Sequence, residues 1–324
     1  MPHDAALSDS PGRIPPQQAV DAAKAATRAS AGVALGLTAV KIVAVLWSDS
    51  IGLLASLADS GLDLFGSLAA FVAVRHAALP ADAEHRYGHG KAEAFASLAQ
   101  AGLVLASAVF VSVRAVDRLA NPEPISAPAP ALAVMAISIT ATLWLVRMQT
   151  RAIQDSGSLA VRGDRLHYLA DLGANAAVMV GIALHWLFHW GWADALVGLG
   201  VALGLSGGAK GLVKAAWDQL IDRELAIGER EQIQALAEAA PQVLGVHDLR
   251  TRASGPFAHL QFHIDLDPNL DLRSVHEIIL DVEARVLDAF PGADVLIHPD
   301  PKGAAPAHGN PHFGGERDGH GFVA

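Results

Sequence analysis

Two carboxylates four residues apart in an otherwise apolar run, Asp59 and Asp63 in IGLLASLADSGLDLFGSLAAFVAVRH (51–76), are the first residues placed to do chemistry. On a helix that spacing puts both side chains on one face. A carboxylate at membrane depth costs at least about 2.5–3.5 kcal/mol on insertion scales, so two within one turn call for a compensating cation. The same spacing recurs far along the chain as His167 and Asp171, in the apolar run DRLHYLADLGANAAVMVGIALHW. Three carboxylates and one imidazole make a four-ligand set that suits Zn²⁺ and neighbouring divalent metals. The bland alternative is a helix pair bridged by protonated aspartates.

Two looser groups follow. Asp82, His85 and His89 fall together in PADAEHRYGHGKAEA, where one carboxylate and two imidazoles could hold a divalent ion with water completing the shell. His247, His263, His276, His298 and Asp300 are spread over 54 residues near the end of the chain, yet several lie towards the ends of predicted strands, which can converge. His259 shares a strand face with His263 and could join the set or merely flank it, the flanking role being favoured. His185 and His189 sit among Trp186, Trp190 and Trp192 and are read as interfacial, and His308, His312 and His320 belong to a Gly-rich, solvated end. Lys41, inside the first apolar segment, reads as a snorkelling or carboxylate-paired lysine.

The elements that must hold these groups are membrane spans. With 324 residues, 52% of them apolar, only 17% charged and a mean hydropathy of +0.33, the chain is too hydrophobic for an ordinary soluble protein. Apolar segments at 31–47, 51–76, 95–118, 129–147, 163–188 and 191–209 give six spans. The second, as a helix, is about 39 Å long against a hydrocarbon core of about 30 Å. If the second and fifth spans run antiparallel, Asp63 and Asp171 lie at similar depths, ~20 and ~24 Å from the outer ends. Arg75, Arg86, Lys91, Arg147, Arg151, Arg162 and Arg165 flank one side, which the positive-inside rule makes cytoplasmic together with both termini. Arg114 and Arg118 dissent. Residues 1–30 are polar and Pro/Ala-rich without a signal-peptide core, and read as a flexible cytoplasmic tail. The absence of Cys excludes disulfides and thiolate sites, and four Met make a soft Cu(I) site remote.

After the sixth span the chain turns acidic: residues 222–300 hold fifteen Asp or Glu against six Lys or Arg, a net of −9. Such charge argues against nucleic acid and suits cations. Helix, two alternating strands, helix and strand follow in αββαβ order. The expected architecture is therefore an all-α six-helix transmembrane bundle plus a C-terminal cytoplasmic, metallochaperone-like α+β domain. Its limits are 1–30 for the tail, 31–211 for the spans, 212–302 for the cytoplasmic domain and 303–324 for a disordered end.

Through LADSGLD, HRYGHGKAEA, LHYLAD, VHDLRTR, HIDLD and LIHPDP, the chain over about residues 20–300 resembles the cation diffusion facilitator family, in its bacterial zinc and ferrous-iron efflux branch. The resemblance implies a transport site of Asp59, Asp63, His167 and Asp171, a loop site of Asp82, His85 and His89, and a dinuclear cytoplasmic site of His247, His263, His276, His298 and Asp300. It implies a homodimer in the bacterial inner membrane that exchanges Zn²⁺, Fe²⁺, Cd²⁺ or Co²⁺ for protons by alternating access, with lipids as its surroundings and no cofactor beyond transported or regulatory metal. It also pairs Lys91 with Asp222 as a charge interlock of the dimer, expected to be partly buried. Pro299 departs from the pattern where related sequences often carry an amide. His167, titrating nearest neutral pH, is the expected proton carrier. Two rivals differ in class. An intramembrane aspartyl protease needs its carboxylates on different helices, has no use for His167 and lacks its GxGD element here. A metal sensor without transport would be distinguished by flux.

Overall fold

The computed structural model describes residues 11–48, 51–120, 129–188 and 192–303. Six long helices come first: α1 (Pro16–Ser48), α2 (Ile51–Ala77), α3 (Ala92–Ala120), α4 (Ala129–Ser156), α5 (Leu159–Phe188) and α6 (Ala193–Leu220). Among the described residues three helical stretches, Pro16–Trp47, Ala92–Ala120 and Ala195–Leu220, are long and apolar enough to cross a membrane. α1 starts well before its apolar segment, so the stretch from Pro16 to Ser30 is helix rather than flexible tail. The reason is local: a proline at the first helical position is pre-organised, and Ala19, Ala23, Ala26, Thr27 and Ser30 form a buried small-residue stripe. α6 likewise runs unbroken past residue 212 to Leu220, with Leu212 and Ala216 buried.

α1 packs on α2 and α4, α2 on α3 and α5, α3 on α5 and α6, and α5 on α4 and α6. The α5–α6 contact is made reciprocally by glycines. A Cβ on Gly173 of α5 would stand 2.7 Å from Val201, and one on Gly208 of α6 would stand 2.8 Å from Leu166. Small residues let backbones approach where lipid gives no hydrophobic drive to association. The start of α5 is fixed by Ser158, whose Oγ accepts from the Val161 N–H at 3.3 Å. Buried Glu93 of α3 caps the same end, accepting from the Ser158 hydroxyl at 2.5 Å and the Ala160 N–H at 3.4 Å.

The remaining elements are α7 (Ile227–Glu238), β1 (Gly245–Ser254), β2 (Phe257–Leu266), α8 (Leu272–Ala289) and β3 (Ala293–Pro301), the expected αββαβ order. The sheet order is β1-β2-β3. β1 and β2 form a hairpin that turns at Gly255, whose φ of +64° favours glycine. β3 runs parallel to β2, since the Ala258 N–H donates to the Gly292 carbonyl and the Lys302 N–H to the Leu266 carbonyl. Two-residue periodicity divides β2: Ala258, Leu260, Phe262, Ile264 and Leu266 are all buried, while His259, Gln261, His263 and Asp265 alternate with them on the other face. The helices contribute Ile233 and Ala237 from α7 and Ile278, Val282 and Val286 from α8, spaced for one helical face. The ligand-bearing face of β2 is thus the one its apolar side chains leave open.

Phe262→Ala should cost about 3–5 kcal/mol of domain stability, whereas Gln261→Ala, one residue away on the exposed face, should stay within about 0.5 kcal/mol. Thermal denaturation of the detergent-solubilised chain measures both.

Candidate metal centres

In the helical bundle, α2 and α5 bring three of the four expected ligands together: Asp63, His167 and Asp171. His167 Nε2 lies 2.9 Å from Asp63 Oδ1 and 4.0 Å from Asp171 Oδ2. Asp63 and His167 are buried, at 8% and 3% exposure. Asp59 lies on α2 one turn before Asp63, but its side chain falls outside the described residues, as do His185, His189 and the three terminal histidines. With two carboxylates facing Nε2, that nitrogen is the ring's donor in the metal-free protein, and a metal ion would take the place of its hydrogen. Close by, Lys41 of α1 donates to Ser60 Oγ at 2.6 Å and is buried, so it points inward and does not snorkel.

One turn nearer the end where α5 begins lies a fully buried polar layer that the spacing argument missed. Asp164 accepts from Ser67 Oγ at 3.0 Å and from Gln149 Nε2 at 2.8 Å. The Ser67 oxygen lies 2.9 Å from the Tyr168 hydroxyl, which donates to the Ser30 carbonyl at 3.2 Å, and Gln149 Nε2 also donates to Ser30 Oγ at 2.9 Å. The layer joins α1, α2, α4 and α5. Ser67 is Asp63 plus four and Asp164 is His167 minus three, so both helices carry a polar group directly beneath a ligand. That register was available in the sequence; what hid it was the absence of a second ionisable residue at helical spacing from Asp164 on the other side.

The loop between α2 and α3 gathers Asp82, His85 and His89. Each Asp82 oxygen faces one ring: Oδ1 lies 3.3 Å from His85 Nδ1 and Oδ2 lies 3.4 Å from His89 Nε2. The backbone N–H of His85, 2.6 Å from Asp82 Oδ1, holds the carboxyl below the usual carboxylate range, so it is an anion at neutral pH and ready to bind a cation.

In the C-terminal domain the strand ends converge. Asp300 is the centre: Oδ2 lies 2.8 Å from His263 Nδ1 and 3.5 Å from His247 Nε2, and Oδ1 lies 3.4 Å from His298 Nε2. Asp248 and Asp265, not singled out from the sequence, flank His247 at 3.6 and 3.4 Å. Asp265 could have been found as the residue two past His263 on the same strand face. Asp248 could not, because it reaches the cluster from a left-handed backbone, φ +51°. His276 is exposed on α8 and joins none of these clusters within the chain. His259 pairs instead with Asp294 at 3.2 Å, which fits its reading as a flanking residue.

Lys91 and Asp222 meet within one chain at 2.9 Å, with side chains 32% and 41% exposed. An isolated pair so open to solvent within one chain contributes only ~0–1 kcal/mol. The surroundings add to it: Lys91 also donates to the Leu220 carbonyl at 3.3 Å, and Arg252 approaches Asp222 at 3.4 Å with its guanidinium 4.2 Å above the Tyr87 ring.

Removing Asp164 takes the buried acceptor from one Gln149 N–H and from the Ser67 hydroxyl, which keeps only Tyr168 beside it; a buried donor left unpaired costs about 1–3 kcal/mol. Asp164→Ala should therefore lower the melting temperature of the helical unit more than Ser67→Ala, which removes one donor and leaves the carboxylate partly satisfied. Melting of the two purified variants in one detergent compares them.

Comparison with known proteins agrees in both regions. The family model for the cation efflux transmembrane domain matches residues 27–221, and that for the cation efflux protein cytoplasmic domain matches residues 228–302. The chain is 42% identical over 278 residues to the cation-efflux pump FieF of Shewanella oneidensis, covering 86% of this chain and 94% of that protein. It is 39% identical over 279 residues to FieF of Klebsiella pneumoniae, covering 86% and 93%. Among solved structures, the zinc form of CzrB, described as a zinc transporter, is similar at 32% identity and a TM-score of 0.25, covering 26% of this chain and 98% of that one. A helical bundle with a buried carboxylate and imidazole cluster, two family models spanning nearly all of residues 27–302 and relatives at about 40% identity lead to one assignment: the chain is a multi-pass membrane protein of the cation diffusion facilitator family, a divalent-cation efflux transporter and not an enzyme.

Proposed function

We propose that the chain exports Zn²⁺ ahead of Fe²⁺, Cd²⁺ and Co²⁺ across the bacterial inner membrane in exchange for protons, as a homodimer working by alternating access with both termini in the cytoplasm. The observation that carries this reading is the meeting of Asp63, His167 and Asp171 inside the helical bundle, with Asp59 one turn away on α2 as the fourth ligand. One nitrogen and three carboxylates suit a borderline divalent ion better than a soft one. The same atoms supply the coupling. His167 Nε2 holds a hydrogen between two carboxylates when the site is empty and must release it to ligate, so proton and metal exclude one another. The aspartates orient that ring, and the buried layer around Asp164 holds α5 in register beneath it.

The remaining centres fit a regulatory part. Asp82, His85 and His89 form a loop site; His247, His263, His298 and Asp300 form the cytoplasmic one, to which His276 belongs only across a dimer interface. Metal there neutralises a strongly acidic domain and favours association of two copies, with Lys91 and Asp222 linking the loop to the end of α6. The organisation is a transmembrane part over 31–211 and a cytoplasmic part over 212–302, flanked by the two terminal segments.

Zinc flux into proteoliposomes tests the transport site. Asp63→Ala or Asp171→Ala should abolish it in folded protein, and near-wild-type flux in either variant would remove the site. His167→Asp, giving an all-oxygen set, should shift preference towards Mn²⁺; an unchanged metal order removes His167 from the ligands. For the cytoplasmic centre, Asp300→Ala takes away the carboxylate common to three imidazoles and should eliminate the zinc-binding step assigned to it in calorimetry of the full chain.

A further inference from the structure

The last turn of α2 ends with an imidazole that the loop centre has not used. His76 is exposed, and its ring centroid lies 4.8 Å from that of His89 with the planes at 73°. His85 also stands beside His89, at 4.6 Å and 46°. His89 is therefore the ring common to both pairs. Angles of this size exclude parallel stacking. They fit rings turned towards a common point.

The spacing has a simple geometric meaning. With a Zn–N bond of about 2.0–2.1 Å and ring nitrogens about 1.2 Å from the ring centre, two imidazoles on one tetrahedral ion have centres about 5 Å apart. Both distances around His89 meet that condition. They also match the distances within the cytoplasmic cluster, where the rings of His247 and His263 lie 5.2 Å apart and those of His263 and His298 lie 4.7 Å apart. His89 carries a second sign. Only 6% of its side chain is exposed, which fixes the ring with its Nε2 turned to Asp82 Oδ2 at 3.4 Å. The donor atoms of Asp82, His85 and His89 already lie within 4.8 Å of one another. His76 stands one ring outward, on an exposed side chain with two rotatable bonds.

We propose that His76 is the fourth ligand of the loop centre, closing Asp82, His85 and His89 into a three-nitrogen, one-oxygen site for a zinc-class divalent cation. The proposal rests on the reading of the loop as a metal site and changes its character. Three protein ligands leave a position open for water or exchange, whereas four close the shell, as in structural zinc sites. Three imidazoles also favour borderline ions such as Zn²⁺ and Co²⁺ over Mn²⁺. The loop would then retain its metal as a clasp between the end of α2 and the approach to α3, where a three-ligand station would hand it on.

Cobalt is the probe, because four-coordinate Co²⁺ absorbs far more strongly in the visible than Co²⁺ with five or six ligands. The full chain is used with the other centres disabled by Asp63→Ala, Asp171→Ala and Asp300→Ala. This background should bind Co²⁺ with the intense tetrahedral spectrum, and zinc should displace it. His76→Ala, at an exposed position, should shift the visible bands, because an oxygen from water takes the place of the imidazole nitrogen. It should also cut zinc affinity, measured against a competing chelator, by more than the about 10–100-fold that loss of an outer-shell partner costs. His76→Ala with the visible bands unmoved, while His89→Ala moves them, overturns the proposal and leaves the three-ligand loop site standing. If His89→Ala also changes nothing, the loop site itself falls and the proposal with it.

Discussion

Within a membrane no water is at hand to satisfy a polar group, so each one must find its partner in the protein. That constraint accounts for the interior of the helical unit better than any apolar packing term. Asp63 reaches His167 at 2.9 Å, Lys41 reaches Ser60 at 2.6 Å, and Asp164 collects hydrogen bonds from two helices. The helices surrounding them meet through alanine, serine and glycine, because only short side chains allow polar groups on neighbouring helices to come within hydrogen-bond distance. The positions of the ligands thus follow from the same demand that sets the helix spacing.

The C-terminal domain solves a different problem with ordinary means. Its sheet buries one face of β2 and leaves the other for histidines and carboxylates, so the strand's period of two separates packing from metal chemistry. Asp300 is the exception that ties them: it is buried, at 4% exposure, yet its oxygens face three rings. A buried carboxylate surrounded by imidazoles gains from any proton or cation those rings hold.

Much of this was legible before any coordinates. The i, i+4 pairs pointed to Asp63, His167 and Asp171, which the bundle brings together, because helical period and low dielectric act locally along a segment, and alternation marked the strands because burial does too. What escaped depends on relations between segments. Asp164 has no second carboxylate or imidazole at helical spacing besides His167 and Asp171, and its partners Gln149 and Ser67 come from other helices. Asp248 enters its cluster through a backbone conformation that side-chain identity does not announce. His276 was grouped with the cytoplasmic cluster by resemblance, yet it is exposed on α8 and, among the described residues, falls in none of the clusters. The early start of α1 was obscured because polar residues such as Gln17 and Asp21 line one side of a stripe of buried alanines, lowering the hydropathy of a segment that is nonetheless well packed.

The two stacked contacts between α2 and α5 have a mechanical implication. Asp63 with His167 and, one turn away, Ser67 with Asp164 act as two rivets along a common seam. Two rivets forbid sliding: displacing one helix along the other by a single turn would break both at once and bring Asp63 opposite a different partner. A tilt that opens one end of the seam can release them one after the other, like a zip. Because the Ser67–Asp164 rivet is tied further to α1 and α4 through Ser30 and Gln149, the seam is stiffer at that end than at the ligand end. The softer end is the one where two carboxylates and an imidazole gather, so the bundle yields most easily where a cation would act.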